Sequence, residues 1–114
     1  MGLSADGTRL AIIKVWGSTI HIVPLSGGAP ETVNVKPDAG LVLINWAPDG
    51  NGWLTATKNR SGVALLHVDL QGEAHPLWEI KGGMFAYGLP SPDGRHLAIV
   101  STARDNNVWL MENF

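Results

Sequence analysis

An all-β fold built from a repeated antiparallel module is predicted by three features of this 114-residue chain. An Asp-Gly pair recurs at Asp6-Gly7, Asp49-Gly50 and Asp93-Gly94, at intervals of 43 and 44 residues. Each pair is followed by a short run of strand-like residues, apolar at the fourth position after the Asp: Leu10, Trp53 and Leu97. No convincing helical segment interrupts these runs, because none sustains the 3.6-residue apolar period. A repeat of about 43 residues is the length of one four-stranded propeller blade. The chain therefore reads as a partial β-propeller of about three antiparallel blades, with roughly ten strands.

The elements follow from the chain in order. The first strand, 10–15, is the apolar run after the first Asp-Gly turn, and Trp16-Gly17-Ser18 returns it as a hairpin loop to the second, 19–23. Gly27-Gly28 then turns the chain into an outer strand at 31–35. The apolar segment 41–44 precedes the second Asp-Gly turn as an innermost strand and ends toward Trp46. After that turn come 53–57, the loop Arg60-Ser61-Gly62, 63–68, the turn Gln71-Gly72 and an outer strand at 75–79. The third copy supplies 84–87, 97–101, a loop from Asp105 to Asn107, and 107–111. Asp and Gly suit the turns because the Asp side chain bonds nearby backbone amides, Gly accepts positive φ, and a preceding Pro, as at Pro48 and Pro92, presets its own φ. One domain, 1–114, with repeat units of approximately 1–40, 41–83 and 84–114, is expected. The first copy is expected to lack an innermost strand and the third an outermost one.

The nine residues Ser-Pro-Asp-Gly-Arg-His-Leu-Ala-Ile at 91–99, with weaker echoes at Ser4 and Ala47, resemble the TolB-type β-propeller repeat, a WD-like blade without the Trp-Asp dipeptide. The tail 107–114 is similar to the last blade of propellers at the C-termini of large bacterial sensor proteins such as acidobacterial serine/threonine kinases. The resemblance implies a noncatalytic platform that binds a protein, peptide or small ligand, with no catalytic, cofactor-binding or metal-binding residues carried over. It also implies a bacterial origin, extracytoplasmic if the parent is a sensor kinase. The alternative is the propeller portion of a multidomain peptidase or hydrolase whose catalytic domain lies outside these residues.

Closed propellers use four to eight blades, so even the smallest needs roughly 170 residues. This chain is too short to close a ring alone. It is expected either to be a piece of a longer propeller or to self-associate, and a dimer giving a six-bladed ring is the simplest closure. Composition favours association: 45% of residues are hydrophobic, five are Trp and only 16% are charged, so uncovered blade faces would leave apolar surface in water.

Composition also excludes partners. Eight Lys plus Arg against ten Asp plus Glu, with no basic run, give no electrostatic footprint for nucleic acid. No run approaches the 18 or more apolar residues of a membrane helix. There is no Cys, hence no disulfide and no thiolate metal site.

Candidate functional residues are few. His21, His67, His75 and His96 fall at ordinary strand positions; His21 aligns with Leu66 and Trp109 in the other copies, His67 with Ile22 and Leu110. Ser4 and Ser91 lie in turns, not in a Gly-x-Ser-x-Gly elbow. Asp6, Asp49 and Asp93 read as turn chemistry. Trp53 and Trp109 read as packing between blades, whereas Trp16, Phe85 and Tyr87 form the candidate binding surface, the last two because innermost strands line a propeller's central channel.

Overall fold

The computed structural model describes residues 2–36, 40–59, 62–82, 85–102 and 106–112. Eleven strands run in chain order: β1 Gly2–Leu3, β2 Arg9–Ile13, β3 Thr19–Pro24, β4 Glu31–Asn34, β5 Leu41–Trp46, β6 Trp53–Asn59, β7 Gly62–Val68, β8 Ala74–Lys81, β9 Phe85–Pro90, β10 His96–Thr102 and β11 Asn106–Glu112. They form three sheets, β1-β2-β3-β4, β5-β6-β7-β8 and β9-β10-β11, in each of which every neighbour is antiparallel and consecutive in sequence. The repeat thus becomes three up-and-down sheets, the arrangement expected of propeller blades.

One strand exceeds the expectation. The first copy has an innermost strand, β1, paired Gly2↔Ala11 and Leu3↔Leu10. Two residues cannot display alternation, so only the ladder reveals it. The strand sets are four, four and three rather than three, four and three. The first long strand also ends at Ile13, short of the expected residue 15. Its turn begins early: Gly17 N–H donates to Lys14 O at 2.8 Å, and Trp16 sits at φ 70°, a left-handed conformation unusual for an aromatic residue.

The Asp-Gly turns are near copies of one another. The N–H of Gly7, Gly50 and Gly94 donates back to Ser4 O, Ala47 O and Ser91 O at 2.9, 3.0 and 2.9 Å. Each of these glycines has φ near 73°, the turn-plus-bulge geometry of short hairpin loops. Asp Oδ1 caps each loop by accepting from the amide two residues on: Thr8 at 3.0 Å, Asn51 at 2.9 Å and Arg95 at 3.0 Å.

Sheets stack face to face through two apolar clusters. The first joins Ala11, Ile20 and Ile22 of the first sheet to Ile44, Trp46 and Trp53 of the second. The other joins Leu54, Ala56, Val63 and Leu65 of the second sheet to Leu97 and Ile99 of the third. Because the middle sheet is covered on both faces, every residue of β6 from Trp53 to Ala56 is buried, although alternate side chains point opposite ways. A register shift between Leu41 and Leu43 in β5 lets Leu41 join Ile44 and Trp46 on the face toward the first sheet.

Trp46 ties the first two sheets together. Its indole Nε1–H donates to Gly2 O at 3.0 Å in a buried bond, its ring lies 5.2 Å from that of Trp53, and the Arg9 guanidinium stands 4.8 Å over it. Farther out, Lys36 N–H donates to Gly72 O at 2.7 Å and Ala74 N–H to Lys36 O at 2.9 Å, a parallel bridge between the two sheets. Gly72 is required there. At φ 94°, an added Cβ would fall 2.2 Å from Asn34 O.

Candidate functional site

Three places combine exposure with chemistry. The most developed is a cleft of about 240 Å³ between the second and third sheets. One wall is the β5–β6 turn, Ala47, Pro48 and Asp49; the other is the β9–β10 turn, Pro92, Asp93 and Gly94; His67, near the end of β7, completes the lining. The turns pack closely, since a Cβ at Gly94 would stand 3.4 Å from Pro48 Cβ. Both carboxylates are exposed and both use Oδ1 for their own turn. The Ser91 hydroxyl, and then the Arg95 amide, hold the Asp93 carboxyl below the usual carboxylate range. The cleft thus offers negative charge at its rim and proline rings along its walls.

The same turn in the first sheet shows how much its hydroxyls matter. Ser4 Oγ–H and Thr8 Oγ1–H both donate to Asp6 Oδ1 at 2.7 Å, and together with the Thr8 amide they pull the Asp6 carboxyl down to about 2. Ser4 Oγ in turn accepts from Arg9 N–H at 3.0 Å, as Ser91 Oγ does from His96 N–H at 3.1 Å. In the middle copy Ala47 replaces the serine, which leaves that turn without this link.

The second place is the β7–β8 turn, where Asp69, Glu73 and His75 bring one donor atom each within 4.8 Å of one another. Asp69 Oδ1 accepts from Gln71 N–H and Glu73 N–H at 2.9 and 3.0 Å, and Oδ2 lies 3.3 Å from His75 Nε2. The Glu73 amide is the main reason the Asp69 carboxyl is lowered. Those bonds commit the carboxylate to closing the turn, the role already seen at Asp6, Asp49 and Asp93.

The third place is the β2–β3 tip. Trp16 is 60% exposed there beside exposed Val15, while its N–H donates to Leu41 O at 2.8 Å, so that its backbone is anchored and its ring is not buried. Tyr87, half-buried, lies on innermost strand β9 opposite Val100. Trp16 and Tyr87 are on the first and third sheets, with the second between them. The side chains of Phe85 and Trp109 lie outside the described residues. Trp53 is fully buried in the first cluster, as its strand position suggested.

Residue-by-residue reading placed Asp49 and Asp93 in turns and His67 in a strand, and so missed the cleft. The signal available was the repeat itself: equivalent turns of consecutive copies belong to adjacent blades. His21 is exposed on the outer face of the first sheet, and His96 Nε2 lies 3.3 Å from Glu112 Oε1.

Comparison with known proteins agrees with this architecture. No family model matches the chain. Dipeptidyl-peptidase 5 of Porphyromonas gingivalis is 29% identical over 87 residues, an alignment covering 68% of this chain and 13% of that protein. Among solved structures, a candidate 6-phosphogluconolactonase of Bacteroides fragilis matches with a TM-score of 0.54 at 20% identity, over 96% of this chain and 37% of that one. TolB of Acinetobacter baumannii matches with a TM-score of 0.71 at 18% identity, over 93% of this chain and 28% of TolB. The chain thus spans less than a third of TolB and about an eighth of the peptidase. Three stacked antiparallel sheets, a blade-length repeat and this superposition give the chain a TolB-like β-propeller fold, of which it forms a part.

Proposed function

We propose that this chain is a noncatalytic propeller segment that binds a protein or peptide within a larger bacterial sensor protein, and that the cleft between the Asp49 and Asp93 turns receives a basic side chain of that ligand. The observation that carries this reading is the pairing of two exposed carboxylates from adjacent sheets across one proline-walled cleft. A guanidinium or ammonium group there would meet two negative charges, while its aliphatic stem would lie along Pro48 and Pro92. Trp16, on its anchored tip, offers an aromatic contact of the kind that concentrates binding energy. Amide NMR with a Gly-Gly-Arg-Gly-Gly peptide tests the cleft. Shifts are expected to concentrate at Asp49, Gly50, His67, Asp93 and Gly94, and to weaken in Asp49→Asn and Asp93→Asn. Unperturbed amides at millimolar peptide, or shifts scattered over other turns, would contradict it.

A second reading, the propeller portion of a multidomain peptidase, is supported by the likeness to dipeptidyl-peptidase 5. Dipeptide release by the natural full-length polypeptide, with none by this segment alone, would favour it over a sensor.

A further inference from the structure

The middle copy of the repeat carries a chemically labile pair that the other two lack. Asn51 stands exposed in the β5–β6 turn, at the repeat position of Thr8 and Arg95, and no other Asn of the chain is followed by Gly. Asn is a thermolabile residue, and a following Gly puts no Cβ in the way of an attack on its side-chain amide. Gly52 itself stands where the other copies have Arg9 and His96. The hairpin demands it: at φ 137°, an added Cβ would fall 2.2 Å from Val68 O.

The hydrogen bonds of the turns decide which backbone nitrogen is available to attack. In the first and third copies the equivalent amide is tied down, Arg9 N–H donating to Ser4 Oγ at 3.0 Å and His96 N–H to Ser91 Oγ at 3.1 Å. Ala47 stands where those serines are, so the Gly52 N–H has no hydroxyl to meet and makes no hydrogen bond among the described residues. The three Asp-Gly pairs are differently placed. The nitrogens of Gly7, Gly50 and Gly94 each donate to a turn carbonyl, at 2.9, 3.0 and 2.9 Å. Their neighbours Asp6, Asp49 and Asp93 are carboxylates, poorer electrophiles than an amide, and each accepts an amide proton through Oδ1.

We propose that Asn51 is a site of spontaneous deamidation through a succinimide formed with Gly52. The Gly52 nitrogen gives its proton to solvent and attacks Asn51 Cγ. The new N–Cγ bond closes the ring, the Cγ–Nδ2 bond breaks, and the side-chain nitrogen takes up a proton and leaves as ammonia. Water then opens the ring. Attack at Cγ gives aspartate; attack at the backbone carbonyl carbon gives isoaspartate, with one extra carbon in the main chain. Either product adds a negative charge two residues from Asp49, in the turn that forms one wall of the cleft. Isoaspartate also lengthens the loop that Ala47 N–H closes onto Gly52 O at 2.9 Å. The modification rests on turn chemistry alone and holds whether or not the cleft binds a basic ligand.

Incubation of the 114-residue chain in warm, mildly alkaline buffer, followed by ion exchange and peptide mass mapping, tests it. A species with one added negative charge is expected to accumulate, its mass gain confined to the peptide that holds Asn51 and its product a mixture of aspartate and isoaspartate. In heavy-oxygen water, one solvent oxygen is expected to enter at that residue. Ala47→Ser supplies the hydroxyl that ties down this amide in the other copies, and is expected to slow the conversion several-fold. Asn51→Thr, which copies the first repeat, is expected to abolish it and tests the site without reference to Ala47. An unchanged charge, a mass gain that maps to another residue, or conversion only after unfolding in urea would overturn the proposal. So would an unchanged rate in folded Ala47→Ser, because the free amide would then not be what exposes the site.

Discussion

Asp6 is the most strongly perturbed acid among the described residues and yet is exposed, which separates turn chemistry from burial. Its carboxylate accepts three hydrogen bonds, from the Ser4 and Thr8 hydroxyls and the Thr8 amide, and the ionised form is the one they favour. The sign of the pH effect follows. A carboxyl held at about 2 when folded and 3.8 otherwise contributes its stabilisation fully above the higher value and loses it as pH falls through the lower. Asp69 and Asp93 are displaced in the same direction and add to the same window. The melting temperature is therefore expected to fall progressively from about pH 5 to about pH 2, and Asp6→Asn, which keeps an acceptor but has no charge to lose, is expected to flatten that slope. A melting temperature in Asp6→Asn that tracks the parent chain across this range would refute the assignment. These turns were legible in the sequence because Asp-Gly acts over four or five neighbouring residues. The left-handed φ of Trp16 was not, since it answers to a partner 25 residues away, the carbonyl of Leu41.

Strand β6 shows what alternation reveals and what it conceals. Its neighbours in the other copies, β2 and β10, carry Ile12 and Ile99 where β6 carries Thr55. Thr55 is fully buried, and its hydroxyl has no hydrogen-bond partner among the described residues. A buried unsatisfied hydroxyl costs on the order of 1 to 3 kcal/mol, while Val keeps the branched shape and removes the polar atom. Thr55→Val is expected to raise unfolding free energy by about 1 kcal/mol in urea titration; a loss of stability would mean that the hydroxyl has a partner in solution. The repeat alignment makes this position readable, because two of three copies already show the apolar solution. Other features of the strands were beyond sequence pattern. β1 is too short to alternate, and the register shifts in β5 and β8 are set by the ladder. In β8 the shift falls beside Pro76, and an outer strand or a bulge is where a sheet tolerates a residue without N–H.

At the scale of the whole molecule, a 43-residue period implies stacked equivalent sheets, and the order of the stack follows from chain order. The cleft was hidden for the complementary reason. It joins 47–49, 67 and 92–94, three elements whose approach depends on how one sheet is set against the next. The stack also dictates an order of stability. The second sheet has apolar neighbours on both faces, and its strands β6 and β7 have a bonded strand on either side; among the described residues, the first and third sheets are each covered on one face only. Opening β6 or β7 must disrupt both clusters, whereas β10 and β11 can part from the stack at the cost of one. Local opening free energies scale with the contacts that opening breaks. Hydrogen exchange is therefore expected to be slowest for the paired amides of β6 and β7, faster for β2, β3 and β10, and fastest for β1 and β11. Exchange in β10 as slow as in β7 would mean that the third sheet is held by something other than its neighbour in the stack.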